Sequence, residues 1–124
     1  MSLSSYSQPT FLRGELTNDE LDPDRALFHV IPAPLELTVS YGSGTRRGPK
    51  AILEASEQLE RWDGSDEPCK SGIYTQGPVR CDEMDRAQAE LQRRGYELAI
   101  NEQIPVTLGG EHSLSYGVVK GVME

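Results

Sequence analysis

The side chains best placed to do chemistry lie together near the end of the chain, in Ile104-Pro105-Val106-Thr107-Leu108-Gly109-Gly110-Glu111-His112-Ser113-Leu114-Ser115-Tyr116-Gly117. A carboxylate, Glu111, adjoins an imidazole, His112. Val106, Thr107 and Leu108 suit a strand buried on both faces. Gly109 and Gly110 break that strand and permit backbone angles that a side chain would forbid. Ser113 or Ser115 is placed to cap the helix that follows. Glu111 and His112 therefore fall just past the carboxyl end of a strand, where open α/β sheets bind ligands. An anion held by the glycine turn and the helix start at Ser113 is one chemistry open to this stretch. The charge of Glu111 opposes it.

The elements that must position this turn follow from periodicity and punctuation. Residues 1–24 read as an irregular lead-in, with one helical turn at Leu16–Leu21 closed by Pro23. Ala26-Leu27-Phe28-His29-Val30-Ile31 reads as the first core strand, ending at Pro32 and Pro34, which cannot donate to a ladder. His29, inside that strand and without a second ligand-type residue nearby in sequence, is expected to be a packed side chain with one hydrogen bond. Ser40 to Gly48 forms a glycine-rich loop. A helix then runs from Pro49, a residue suited to a first turn, to Trp62. Ile52, Ala55, Leu59 and Trp62 fall on one face of it, and Asp63-Gly64 makes its exit. The Gly42/Gly44 pair lacks the third glycine of a phosphate-binding loop.

Gly72-Ile73-Tyr74-Thr75 reads as a short strand stopped by Gly77-Pro78. A helix opens near Asp82 with Asp82, Glu83 and Asp85 at the positive end of its dipole. Met84, Ala87, Leu91 and Leu98 share a face, so one helix is expected to continue to Ile100 through Gly95, at a cost of about 1 kcal/mol for an interior glycine. A last helix from Ser113 carries Leu114, Val118, Val119 and Val122. It reaches Glu124 without a capping glycine or proline, as expected of a truncated element.

The motif Gly109-Gly110-Glu111-His112-Ser113 resembles the first metal-ligand motif of the arginase/agmatinase (ureohydrolase) family, Gly-Gly-Asp/Glu-His-Ser/Thr after an apolar strand. Glu at the acidic position is closer to the agmatinase branch than to arginase. A second stretch, Tyr41-Gly42-Ser43-Gly44-Thr45-Arg46-Arg47-Gly48-Pro49-Lys50-Ala51-Ile52, resembles the other agmatinase signature, a Pro-rich strand end followed by Tyr-Gly-x-Gly-x-x-x-Gly-Pro-x-Ala-Ile. The resemblance covers roughly residues 26–124.

This resemblance implies an α/β fold: part of a three-layer α/β/α arrangement on a mostly parallel sheet, truncated after the first metal-ligand motif. Residues 25–124 would form the amino-terminal part of that domain. The implied activity is hydrolysis of a linear guanidino compound, agmatine foremost, to an amine and urea. Two Mn(II) ions bridged by hydroxide would supply the nucleophile, because metal binding lowers the pKa of water. Imidazole and carboxylate ligands suit that metal. His112 is implied as one ligand. Glu111 is implied beside it, orienting the loop or His112. Capping the next helix is an equal alternative for Glu111. The family's later ligand motifs, an Asp-x-His-x-Asp cluster and an Asp-x-Asp stretch, do not occur here. The chain alone is therefore expected to bind Mn(II) weakly or not at all and to release no urea. The alternatives are a non-catalytic relative acting as an assembly partner, or a small α/β binding module.

Composition sets the remaining bounds. A chain of 124 residues has room for one small domain with a core. Its hydrophobic share is 36%, and its formal charge is −8, from 20 acids against 12 bases. With no long Lys/Arg run, nucleic-acid and anionic-membrane partners are not expected. No apolar run has signal-peptide or transmembrane length, so the expected location is the cytoplasm. Cys69 and Cys81 form no C-x-x-C pair and are expected as two free thiols. A sheet with missing strands would leave an open edge, so self-association or a homo-oligomer is expected.

Overall fold

The computed structural model describes residues 9–37 and 44–124. Three strands form one parallel sheet: β1 (Phe28–Ala33), β2 (Ile73–Thr75) and β3 (Ile104–Gly109), in the spatial order β2-β1-β3. Helix α1 (Gly48–Ala55) lies in the connection from β1 to β2, α2 (Met84–Ile100) in that from β2 to β3, and α3 (Leu114–Met123) follows β3. Parallel pairing requires such crossovers, because a tight hairpin cannot return a chain in the same direction. Phe28 pairs with Ile73 on one side and Ile104 on the other, and Ala33 pairs with Gly109. This is an α/β domain with its glycine turn at the carboxyl edge of the sheet.

The core cluster joins Ile31, Ala33 and Leu35 to Val79, to Ala87, Leu91 and Leu98 of α2 and to Leu114 of α3. The α2 face expected from periodicity is therefore the buried one, and the helix passes Gly95 unbroken. Gly95 meets α3 closely: a Cβ there would lie 3.0 Å from the Val118 carbonyl oxygen. On α3, a Cβ at Gly121 would lie 2.1 Å from the Gln92 carbonyl oxygen. The two helices thus approach through missing side chains.

Several expectations change. β1 does not stop at Pro32 but runs to Ala33. β2 pairs with β1 only as far as Val30, so beyond that point no ladder N–H is required of Pro32 on that side. Its carbonyl instead accepts from Val79 N–H at 2.9 Å. β3 is not buried on both faces: Ile104 and Val106 are exposed. Among the described residues β1 is its one strand neighbour. α1 ends at Ala55, followed by a 3-10 turn over Ser56–Gln58, and Leu59 is extended. The chain leaves the helix there, before Trp62 and the Asp63-Gly64 exit. Its buried residues are Pro49 and Leu53, while Ile52, Leu59 and Trp62 face out. α2 begins at Met84, leaving Asp85 as the acid of its first turn. Cys69 and Cys81 are free thiols.

The lead-in is not loose in its described part. Thr17 and Glu20 exchange hydrogen bonds, Thr17 N–H to Glu20 Oε1 at 2.9 Å and Glu20 N–H to Thr17 Oγ1 at 3.2 Å. Ile73 N–H donates to the Glu20 carbonyl at 2.9 Å, and Phe11 N–H to Thr75 Oγ1 at 3.0 Å. The last two bonds tie the lead-in to β2.

Candidate metal-binding turn at the end of the third strand

The glycine turn is built by the backbone of two neighbouring segments. Gly110 N–H donates to the Ala33 carbonyl at 3.2 Å and Glu111 N–H to the Leu35 carbonyl at 3.1 Å. The strand pairing of β1 with β3 thus continues past the formal ends of both strands. Neither Gly109 nor Gly110 has a positive φ, contrary to the conformational role read from sequence. Glycine is required here by proximity instead. A Cβ on Gly110 would lie 2.2 Å from the Leu35 carbonyl oxygen and 3.2 Å from that of Thr45, and one on Gly109 would lie 2.8 Å from Leu114 Cδ1. Gly48, at the start of α1, is also close: a Cβ there would be 3.3 Å from the Gly109 carbonyl oxygen. The two sequence motifs therefore meet in space. Tyr41, Gly42 and Ser43 of the second motif lie outside the described residues.

The serines do not cap α3. Ser113 at its N-cap has helical angles and makes no side-chain cap hydrogen bond. The chain instead turns into the helix through backbone bonds, Leu114 N–H to Glu111 O at 3.3 Å and Ser115 N–H to His112 O at 3.1 Å. A residue already helical at the N-cap cannot present its oxygen to the free N–H groups as an extended one does.

His112 is exposed on this turn. It lines a hollow of about 210 Å³ with Thr107, Gly109, Gly110, Glu111, Leu114 and Ser115. Thr107 Oγ1, on the same wall, is buried and without a hydrogen-bond partner among the described residues. Glu111 turns one carboxylate oxygen to the backbone N–H of Leu37. Among the described residues no group of three His, Cys, Asp or Glu side chains converges to hold a metal ion. One exposed imidazole is a possible ligand and does not by itself fit a dinuclear centre.

Glu36 escaped the reading of the sequence. Its side chain accepts from Gly44 N–H at 2.8 Å, Arg46 N–H at 3.0 Å and the Arg46 guanidinium at 3.0 Å. Those bonds, the Arg46 backbone N–H first, hold its carboxyl below the usual range. Its only sequence signal is an acid just after a proline-rich strand end. The partners lie eight and ten residues on and are not readable without the fold.

His29 is packed as expected, but with a hydrogen-bond partner at each ring nitrogen instead of the single bond expected. Its Nε2–H donates to the Pro23 carbonyl at 2.9 Å, and Gln76 Nε2 donates to its Nδ1 at 3.0 Å. Its ring sits 5.2 Å from that of Tyr74. Burial pushes its pKa down, so the neutral ring belongs to the fold.

The model of the Arginase family matches residues 26–124. An N(1)-aminopropylagmatine ureohydrolase of Synechocystis sp. is 35% identical over 121 aligned residues, which cover 90% of this chain and 39% of that protein. A protein of the same name from Thermus thermophilus is 34% identical over 102 residues, 77% of this chain and 34% of its own length. The crystal structure of agmatine ureohydrolase of Thermoplasma volcanium superposes with a TM-score of 0.76 at 24% identity, over 89% of this chain and 40% of that one. This last likeness shows a shared fold. The chain thus spans well under half the length of these relatives.

Proposed function

The chain belongs to the arginase family, and we propose that it is the amino-terminal portion of an agmatinase-like ureohydrolase. In that reading the complete protein hydrolyses a C–N bond of a linear guanidino compound, agmatine or its aminopropyl derivative, to an amine and urea. The observation that carries it is the turn Gly109–Ser113. It stands at the carboxyl end of a parallel strand, backbone-bonded to β1, with His112 exposed beside a hollow. His112 would serve as one ligand of a manganese pair, which when bound would supply a hydroxide nucleophile at neutral pH. Glu111 holds the neighbouring Leu37 segment and so orients the turn. The remaining ligands come from outside these residues. The chain by itself binds Mn(II) weakly or not at all and releases no urea.

The test has two parts. The intact mass of the native gene product is expected to exceed 13.7 kDa, and that product with Mn(II) is expected to release urea from agmatine or N(1)-aminopropylagmatine. His112→Ala in it should abolish most of that release. Steady urea release by the purified 124-residue chain would overturn the inactivity of the portion. Absence of urea from the native product, with either substrate and Mn(II) present, would overturn the assignment.

A further inference from the structure

We infer that Glu36 is a positioning residue for the turn that carries His112. The inference rests on the reading of that turn as part of the metal site. Glu36 is placed between Leu35, whose carbonyl accepts from Glu111 N–H, and Leu37, whose N–H donates to the Glu111 carboxylate. Its own carboxylate reaches the other way, to Gly44 and Arg46. It therefore ties together two segments, Leu35–Leu37 and Gly44–Arg46, that form the two walls around Gly110.

The fit is close. Gly110 lies against the Leu35 carbonyl oxygen on one wall and the Thr45 carbonyl oxygen on the other, so near that even a Cβ has no room. Thr45 sits between the two residues whose N–H groups Glu36 accepts. Among the described residues, these two N–H bonds and the Arg46 ion pair are the hydrogen bonds that join the two walls, and removing them loosens one wall from the other. The turn between them then loses its register, and with it the place of His112. Packed segments shift between discrete arrangements more readily than they stretch. Glu36 touches neither His112 nor the hollow, so its effect is one of position.

The chain contains only two histidines, His29 and His112, so proton NMR resolves one imidazole in the turn and one in the core. In the 124-residue chain Glu36→Ala should move the His112 imidazole and the Gly110 and Glu111 amide resonances by more than their linewidths. The His29 resonance should stay in place and report an intact fold. Glu36→Gln keeps an oxygen acceptor and should shift the same turn resonances by less. Should the alanine variant not fold, the glutamine variant carries the test. Turn resonances left at their original positions in a folded variant would overturn the inference, as would shifts spread equally to His29. The readout needs neither metal nor turnover. Its failure would remove the role of Glu36 and leave the ureohydrolase reading standing, whereas failed urea release would do the reverse.

Discussion

Glu111 accepts a hydrogen bond from the backbone N–H of Leu37, a residue 74 positions earlier in the chain. That bond joins the turn bearing His112 to the segment leaving β1. It is made by a charged acceptor, yet Leu37 is exposed, so water replaces part of what is lost when it breaks. Glu111→Ala is expected to lower the stability of the chain by about 1 kcal/mol, read from urea unfolding. If the proposed manganese ureohydrolase is the complete protein, the same change in it should weaken Mn(II) binding by about 10- to 100-fold, as changes to residues that orient metal ligands commonly do. A metal affinity equal to that of the unaltered enzyme would show that Glu111 does not orient the turn.

The glycines separate into those that touch something and those that do not. A Cβ on Gly121 would enter the Gln92 carbonyl oxygen on α2, whereas one on Gly77 would meet nothing within 4 Å. Gly121→Ala must push α3 off α2 and should cost about 1–3 kcal/mol, although alanine is the better helix former. Gly77→Ala should stay within about 0.5 kcal/mol of the original. Equal urea midpoints for the two variants would contradict the close approach of the helices.

Much of this arrangement was legible in the sequence, and the failures share a cause. The long helix through Gly95 follows from its apolar periodicity, β1 from a continuous apolar run, and the place of the turn at Gly109-Gly110 from glycine punctuation, all written in consecutive residues. The apolar row Ile52, Ala55, Leu59 and Trp62 misled because periodicity shows that a face is apolar without showing what covers it. In this chain Leu53 and Ser56 are covered instead. The two glycines of the turn are necessary, though not for a positive φ. The reason is contact with Leu35, 75 positions before Gly110, which no local rule contains. Glu36 was missed for the same reason.

His29 makes the fold sensitive to acid. Burial lowers its pKa from the ordinary 6.5. As pH falls through 6.5 the unfolded chain binds a proton that the folded chain refuses, so stability falls with pH from there until the folded ring also protonates. Urea midpoints taken just above and below pH 6.5 should show this decline, and His29→Gln should flatten it. A decline of the same slope in His29→Gln would assign it to another group.

Glu20 acts lower on the scale. Its carboxylate faces the Arg61 guanidinium through two bonds, at 2.6 Å and 2.8 Å, and its pKa is lowered from 4.5 to about 2, chiefly by the Arg61 hydrogen bond. The folded chain keeps the carboxylate ionised where the unfolded chain protonates it. Its contribution is therefore complete above pH 4.5 and is lost as pH falls toward 2. Glu20→Gln should lower stability at neutral pH and remove this acid limb. An acid limb unchanged in that variant would contradict the pairing seen here.

The open side of β3 leads to the last expectation. Ile104 and Val106 are exposed on a strand that has β1 as its one partner among the described residues. Tyr116, Val119 and Met123 are exposed on the helix that follows. Unpaired backbone groups beside exposed apolar side chains favour pairing with another chain. The sedimentation coefficient of the 124-residue chain should therefore rise with concentration. A lysine at an edge strand hinders such pairing because the joined strands would have to desolvate its charge. Val106→Lys should return the chain toward the monomer while leaving the His29 resonance, buried on the neighbouring strand, in place. A monomer at all concentrations before the substitution, or association that persists unchanged after it, would place the contact elsewhere than at this edge.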